Sequence, residues 1–376
     1  MGERREVYGW TLKALLFVLS SLLVLELLFR FAVPADQRPA SAQIQGTWVT
    51  AFDRSYDSTG HTSIGRVPLE SFHWTINPQG WNSTRSYITA EARERPLIVL
   101  IGDSHVENLQ SDVEQSMEAH LQSSLGDSCL VYSFGKADQS LLQDLLVMRY
   151  VDSLYRPDAF VIVVGGDVIH RSIMPGPSMV YAYMQPADDG FVLRPPAERT
   201  PSDFARQALR SSLVRYLRFN MAQEIFPLYH IDPAARNHNE NLSRERVNEL
   251  MEPAARYILD RMSREFGDRG VLITSNYFIQ RYRIYGGVKA WLVRDLDTPP
   301  DYHLLEELVP EYPAVGWLDT ESAFARAWER DGRRFECPDD KHLNGYGNEV
   351  VAEAILERLR RDGTMQRLLG RQGRAD

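Results

Sequence analysis

A serine hydroxyl follows a stretch of the chain that predicts a buried strand. Residues 97–101 are five consecutive apolar residues, too few to cross a membrane and typical of a strand covered on both faces. Gly102 permits a tight turn after them, and residues 105–121 have the apolar spacing of a helix. The unpaired N–H groups at a helix start stabilise negative charge. Ser104 is therefore a candidate nucleophile.

A serine nucleophile needs a base and an acid that orients the base, and the end of the chain offers both. Asp339 and His342 lie three residues apart in a loop that begins at Pro338 and precedes a helix with apolar periodicity. One turn of the chain can carry both side chains. We therefore expect this loop to meet Ser104.

Several strands must position these groups. Strands that alternate with helices of this length imply right-handed crossovers and a parallel sheet covered on both faces. Ligands bind outside the carboxyl ends of such strands, and Ser104, Gly135 and Gly166 each follow a predicted strand end. The predicted strands are 97–101, 129–134, 159–164, 271–275 and 316–319.

With these motifs the chain resembles the SGNH, or GDSL-type, esterases and acyltransferases over about residues 95–360. The resemblance rests on Gly102-Asp103-Ser104, on Gly135 after the second strand, and on Asp339-x-x-His342 before the last helix. It implies an α/β fold with a three-layer, doubly wound parallel sheet in flavodoxin-like order. It also implies that Ser104 is the nucleophile, that His342 is the general base and then acid, and that Asp339 orients His342.

The resemblance further implies an oxyanion hole made by the backbone N–H groups of Ser104 and Gly135 and by an asparagine side chain. Gly166 stands where that asparagine is expected, immediately before Asp167. Loss of one oxyanion donor can cost about 10²–10³ in rate. Either a backbone N–H near Gly166 or another side chain substitutes, or the protein is slow or inactive. The sequence leaves these alternatives open.

Other polar residues near these motifs are candidates for substrate contact. Asp103, His105 and Asp167 flank the strand ends, and Asn77 and Trp81 belong to a segment, Ile76 to Ser83, often found upstream of the serine strand in membrane-anchored members of the superfamily. That segment is either a loop that covers the sheet or one wall of a substrate cleft. Because no second His or Cys stands at ligand spacing from His105, we expect no metal and no cofactor.

The first 33 residues predict a membrane anchor. Residues 10–33 are mostly apolar and reach the roughly 20 residues of a span if Glu26 and Arg30, four apart on one helical face, are tolerated as a pair. Basic residues precede the run, so the positive-inside rule places residues 1–9 in the cytoplasm and the remainder on the periplasmic or extracellular side of the inner membrane. A cleaved signal peptide is the main alternative, but the small-x-small sequence at 40–42 lies far beyond the apolar run.

The remaining chain divides into a linker, one domain and a tail. We expect a polar linker over 34–45, the catalytic domain over 46–362 with an inserted hairpin and helical region at about 168–268, and a frayed basic tail over 363–376. Within the insertion, one helix is predicted from Ser202 to Ile225 and another from Ser243 to Phe266. Tyrosines of the insertion and Trp291 either stack on sugars or serve as core. Cys129 and Cys337 are predicted at opposite ends of the sheet, as separate thiols. The net charge of -9 argues against a nucleic-acid partner.

These features favour a membrane-anchored, extracytoplasmic serine esterase or O-acyltransferase. The resemblance implies that its substrates are acyl, chiefly acetyl, esters of cell-envelope glycans, with a membrane protein as a possible supplier of acyl donors. The alternative, motivated by the absent asparagine, is a catalytically impaired binding or scaffolding subunit of a polysaccharide assembly system.

Overall fold

A parallel sheet of five strands forms the centre of the fold. The computed structural model describes residues 2–55, 57–68, 70–176, 180–231, 237–285, 300–337 and 340–372. The strands in chain order are β1 (Ser41–Gln43), β2 (Thr50–Phe52), β3 (Thr59–Ser63), β4 (Ser71–Thr75), β5 (Leu97–Gly102), β6 (Leu130–Gly135), β7 (Ala159–Val164), β8 (Tyr183–Ala187), β9 (Gly190–Arg194), β10 (Arg199–Pro201), β11 (Tyr229–Ile231), β12 (Val271–Ser275) and β13 (Val315–Leu318).

The central strands lie in the order β6-β5-β7-β12-β13, and each is parallel to its neighbours. The chain enters at β5, adds β6 on one side, and then crosses back to build β7, β12 and β13 on the other side. The strand order therefore reverses beside β5, and a crevice at the carboxyl ends is expected there. The predicted parallel sheet is confirmed, and its order is the flavodoxin-like one.

Helices cover both faces of the sheet. The helices in chain order are α1 (Gly2–Phe31), α2 (Ser104–Glu107), α3 (Met117–Leu125), α4 (Leu141–Tyr155), α5 (Val168–Ile173), α6 (Asp203–Ala208), α7 (Ser212–Arg215), α8 (Arg244–Phe266), α9 (Phe278–Tyr285), α10 (Pro300–Leu308), α11 (Glu321–Asp331), α12 (Gly345–Arg361) and α13 (Thr364–Gln372). The alternate residues Val99 and Ile101 of β5 belong to a core shared with α4 and α8, and Ile98 and Leu100 to a core shared with α3 and α12.

The predicted insertion contains a hairpin and helices. Strands β8 and β9 pair antiparallel around a two-residue turn, Asp188-Asp189, as expected. The helix predicted from Ser202 to Ile225 is instead broken into α6, α7 and a π-helical turn, because the Ser211 hydroxyl accepts a hydrogen bond from Val214 N and starts a new helix. The helix predicted from Ser243 to Phe266 is present as α8, capped by Ser243.

The N-terminal helix α1 is mostly exposed, and its apolar part meets the rest of the chain at one end. Within the described residues, one helix, Gly9–Phe31, is long and apolar enough to cross a membrane. The predicted pair forms, with Arg30 Nη2 2.7 Å from Glu26 Oε1. Near the same end, the ring of Phe29 stacks on that of Tyr216 in the π-helical turn.

The segment predicted as a linker, 34–45, is part of the packed domain. Asp36 is buried, its backbone N–H donates to the side chain of Asn220, and Ser41 N donates to the hydroxyl of Tyr229. Residues 41–43 form β1, which pairs with β2. The polar composition of the segment misled the prediction, because these polar groups are satisfied by other parts of the domain rather than by water.

The two cysteines lie apart, as expected, and both are free, buried thiols. The thiol of Cys129 lies 3.2 Å from the carbonyl oxygen of Pro96, before β5 begins. The thiol of Cys337 lies 2.9 Å from that of Gln110, which follows α2. The two sulfurs therefore mark opposite ends of the sheet.

Candidate active site

The hydroxyl of Ser104 and the imidazole of His342 are in hydrogen-bond contact although 238 residues separate them. Ser104 is the first residue of α2, directly after β5, and its Oγ lies 2.7 Å from His342 Nε2. The carboxylate of Asp103 accepts a hydrogen bond from His105 N at 3.0 Å and so caps this short helix. The loop before α12 supplies His342. The sheet thus brings together the predicted serine and histidine.

The carboxylate beside His342 belongs to Asp340. Its Oδ1 lies 2.6 Å from His342 Nδ1 and also accepts a hydrogen bond from the backbone N–H of His342. The family resemblance implied Asp339 at this position, and Asp339 lies outside the described residues. An aspartate two residues before a histidine can form an Asx turn onto the backbone N–H of the histidine, which brings its carboxylate to the ring. That spacing was the available signal.

The protonation state of the hydrogen-bonded series Ser104, His342 and Asp340 follows from the charge of Asp340. Burial alone would raise the pKa of its carboxyl, but hydrogen bonds from the side chain and the backbone N–H of His342, together with the attraction between the carboxylate and this imidazole when it is protonated, outweigh burial and lower the pKa. An ionised carboxylate can only accept, so Nδ1 carries the ring proton and donates it. Nε2 is then the acceptor, and the hydroxyl of Ser104 donates to it. This arrangement suits removal of the serine proton.

Ser104 and His342 open into a cavity of about 330 Å³. Three other parts of the chain line it: the N-terminal segment with Arg38 and Phe52, the loop after β6 with Lys136 and Asp138, and Tyr181 at the start of the insertion. The volume lies in the range of small-molecule sites. The segment predicted as a linker therefore forms a wall of the candidate site.

The two other glycines of the expected oxyanion hole differ in their surroundings. Gly135 pairs with Gly102 across β5 and β6, and a Cβ on it would lie 2.1 Å from the backbone nitrogen of Glu107, so only glycine fits. Gly166 follows β7 and has a φ of 71°, in the left-handed region that favours glycine. A Cβ on Gly166 would lie 3.5 Å from Arg171 Nη2. The position expected for asparagine therefore adjoins a guanidinium.

Asp103 and His105 flank Ser104, and burial shifts the pKa of each. Burial raises the pKa of Asp103 to about 6, despite the backbone N–H of His105 and the charge of Arg171. Burial and the neighbouring His342, whose ring centre is 5.1 Å away, hold the pKa of His105 well below its usual value, so this ring is neutral. Asp103, His105 and the exposed Asp167 are not among the described residues that line the cavity. Their contact with substrate stays a prediction.

The segment with Asn77 and Trp81 is a covering loop, which corrects their predicted contact with substrate. The side-chain oxygen of Asn77 accepts hydrogen bonds from Gln79 N and Trp81 N, and Trp81 is fully buried edge-on against Phe134. The next residue, Asn82, donates its amide to the carbonyl oxygens of Glu107 and Asn108. The loop therefore holds the end of α2 in place.

Two polar connections that the sequence did not reveal fix the turn that carries Ser104, here called the serine turn. Lys136 Nζ lies 2.6 Å from Glu107 Oε1 in a buried ion pair and over the ring of Phe52. On the other side, the amide of Asn348 in α12 donates to Asn108 Oδ1 at 2.7 Å. Because α12 follows the His342 loop, this second contact ties that loop to the serine turn.

No side-chain cluster suited to a metal ion occurs within the described residues. The residues around Ser104 instead provide a hydroxyl, an imidazole and a carboxylate in series. Such a series can transfer a proton away from the attacking oxygen and return it to a leaving group.

Comparisons with known proteins give distant similarities. No protein-family model and no curated protein sequence matches the chain. Among solved structures, a lipolytic protein of the G-D-S-L family from Veillonella parvula is 10% identical, with 69% of this chain and 96% of that chain covered and a TM-score of 0.35. A catalytic mutant of Axe2, an acetylxylan esterase from Geobacillus stearothermophilus, is 11% identical, with 70% and 93% covered and a TM-score of 0.37. The acetyl xylan esterase AlAXEase is 11% identical, with 70% and 99% covered and a TM-score of 0.39.

Proposed function

We propose that the protein is a serine esterase or O-acyltransferase that acts on acyl esters. The observation that carries the proposal is the continuous chain of contacts from Ser104 Oγ through His342 to the carboxylate of Asp340. Ser104 attacks the carbonyl carbon of the ester, and its proton passes to His342 Nε2. The tetrahedral intermediate then collapses, the bond to the leaving oxygen breaks, and that oxygen takes the proton.

The second half of the reaction removes the acyl group from Ser104. Water or a sugar hydroxyl gives its proton to His342 and attacks the acyl carbonyl, and Ser104 leaves with the proton restored. Exclusion of water decides between hydrolysis and transfer. Tyr181 and Arg38, which line the cavity, lie where the insertion and the N-terminal segment could control that access.

We further propose that α1 anchors the protein in the inner membrane, with the catalytic domain on the periplasmic or extracellular side. The apolar length of the helix and the basic residues before it support this orientation. The sequence resemblance supports acetyl esters of envelope glycans as substrates and a membrane protein as the supplier of acyl donors.

The test uses the full chain in detergent with 4-nitrophenyl acetate, with and without an oligosaccharide acceptor. Wild type should release nitrophenol and form an acetylated Ser104 detectable by mass spectrometry, and Ser104→Ala should do neither. Ser153→Ala, on an exposed face of α4, is the matched control. Equal rates for wild type and Ser104→Ala would overturn the proposal.

The glycine at position 166 favours one other function, a binding subunit without catalysis. Glycan binding and cellular function that survive in Ser104→Ala would favour it. Loss of cellular function on that single change would exclude it, because removal of one oxygen leaves the binding surface almost unchanged.

A further inference from the structure

The position that an asparagine would occupy in the oxyanion hole faces an arginine. A Cβ on Gly166 would lie 3.5 Å from Arg171 Nη2, and within the described residues this is the one heavy atom within 4 Å outside its chain neighbours. A side chain at position 166 would therefore extend into the space beside the guanidinium. The side chain next to position 166 is therefore that of Arg171, a cation with several N–H donors.

Arg171 lies beside a residue of the cavity that holds the serine. It is the fourth residue of α5, which begins just after Gly166, and its Nη1 lies 3.5 Å from Asp138 Oδ1. Asp138 lines the same cavity as Ser104 and His342. The side chain of Arg171 is 30% exposed, and Asp138 is largely in solvent, so their ion pair is weak. The guanidinium therefore has donors that a ligand can use.

We propose that Arg171 takes the place of the absent asparagine and donates to the acyl oxygen in the tetrahedral intermediate formed at Ser104. This inference rests on the proposed function. As Ser104 Oγ bonds to the carbonyl carbon, the π electron pair of the carbonyl moves to its oxygen. The guanidinium meets that negative charge while the serine proton moves to His342. When the C=O bond forms again, the leaving oxygen departs with the proton.

The chemistry of arginine fits this task. A guanidinium stays protonated at every physiological pH, and its hydrogen bonds to an oxyanion are charge-assisted, hence stronger than those of an amide. The charge of Arg171 already reaches the turn that carries the nucleophile, because it acts to lower the pKa of the neighbouring Asp103 against the effect of burial. A cation at this place stabilises an intermediate that is more negative than the ester.

The buried side chain of Asn276, which follows β12, accepts a hydrogen bond from Arg281 Nη1 through its oxygen, while its Nδ2 has no hydrogen-bond partner among the described residues. Arg171 differs from Asn276 because it is charged, partly exposed and close to Asp138 of the cavity wall.

The test compares kcat and KM for 4-nitrophenyl acetate in Arg171→Ala and in the double variant Gly166→Asn/Arg171→Ala. Arg171→Ala should lower kcat by about 10²–10³ and change KM much less, the signature of an interaction made in the transition state. Asparagine tolerates the left-handed backbone of position 166, and the alanine clears the space beside it. The double variant should therefore recover about tenfold or more of the lost kcat.

Two measurements separate this inference from its alternatives. Arg149→Ala on α4, which removes a surface arginine paired with Glu265, should keep the wild-type kcat. Wild-type kcat in Arg171→Ala, or a loss that Gly166→Asn does not recover, would overturn the inference while a Ser104-dependent reaction leaves the proposed function standing. A wild type whose reaction does not depend on Ser104 overturns the proposed function itself.

Discussion

The carboxylate of Glu26, inside the apolar N-terminal helix, accepts a hydrogen bond from the backbone N–H of Ser212 at 3.0 Å. It also accepts from Leu213 N and from the hydroxyl of Ser211, while Arg30 pairs with it from the same helix. A charge within an apolar helix thus caps α7 of the insertion. The helix and the domain built around the central sheet are joined by side chains as well as by the polypeptide chain itself.

Removal of this carboxylate should loosen α7. Loss of a helix cap costs about 1 kcal/mol, which is about a fivefold increase in local opening. In Glu26→Ala, the backbone amides of Ser212 and Leu213 should therefore exchange with deuterium about fivefold faster. The measurement is hydrogen exchange on the full chain in lipid nanodiscs, with Glu249→Ala on the exposed face of α8 as the control. Unchanged exchange at both amides would contradict the capping role.

Asp340 should matter more for activity than its neighbour Asp339. Substitution Asp340→Asn removes the acceptor that fixes the tautomer of His342, and for a triad aspartate this lowers kcat by about 10⁴. Asp339→Asn should lower kcat much less, because His342 Nδ1 donates to a single carboxylate and that carboxylate belongs to Asp340. Hydrolysis of an acetyl ester by both variants checks this. A larger loss for Asp339→Asn would restore the assignment made from the sequence.

The buried pair of Lys136 and Glu107 should behave as a unit. Lys136→Met leaves a carboxylate buried without its cation and should lower the free energy of unfolding by about 3–5 kcal/mol. The double variant Glu107→Leu/Lys136→Met removes both charges and should recover most of that loss. Urea unfolding measures both changes. Additive losses in the double variant would show that the two side chains are not energetically coupled.

Stability should fall as the solution becomes alkaline. Burial raises the pKa of Glu118 and of Asp144 to about 8, although Ser83 and Gln139 respectively donate hydrogen bonds to them. The folded state therefore keeps these protons at pH values where the unfolded chain has lost them. The stabilisation is complete below the unfolded pKa and declines up to about pH 8, by at most about 1.4 kcal/mol per pH unit for each group.

Glu118→Gln tests this dependence on pH. The amide keeps an acceptor for Ser83 and cannot ionise, so the free energy of unfolding should depend less steeply on pH between 5 and 9. Glu249→Gln, on the exposed face of α8, should leave the slope as in wild type. An identical slope in wild type and Glu118→Gln would show that this carboxyl does not keep its proton in the folded state.

The sheet and the meeting of Ser104 with His342 could be predicted because they depend on strong local signals. Three local features define β5 and the turn after it, independently of the rest of the chain. They are an apolar run buried on both faces, a glycine turn and the start of a helix. The choice between Asp339 and Asp340 could not be made in this way. It depends on which side chain the backbone of the His342 loop turns toward the ring, and both spacings allow a contact.

Other features depend on contacts between parts of the chain that are far apart. The segment 34–45 is polar enough for a linker, but Asn220 and Tyr229 satisfy its backbone. The aromatic ring of Trp81 fits a cleft wall or a core equally well by its type alone. Arg171 carries no motif, and only the folded chain places it beside Gly166.

The position of Arg38 in the cavity wall sets how far the candidate site can lie from the end of the apolar N-terminal helix. Arg38 stands seven residues after Phe31, the last residue of the apolar helix, and seven residues of chain reach at most about 25 Å. Under the proposed anchoring of that helix in a bilayer, Ser104 lies close to the lipid headgroups. On that proposal, acyl esters on molecules held near the lipid surface are within its reach, and esters on released polymer are not.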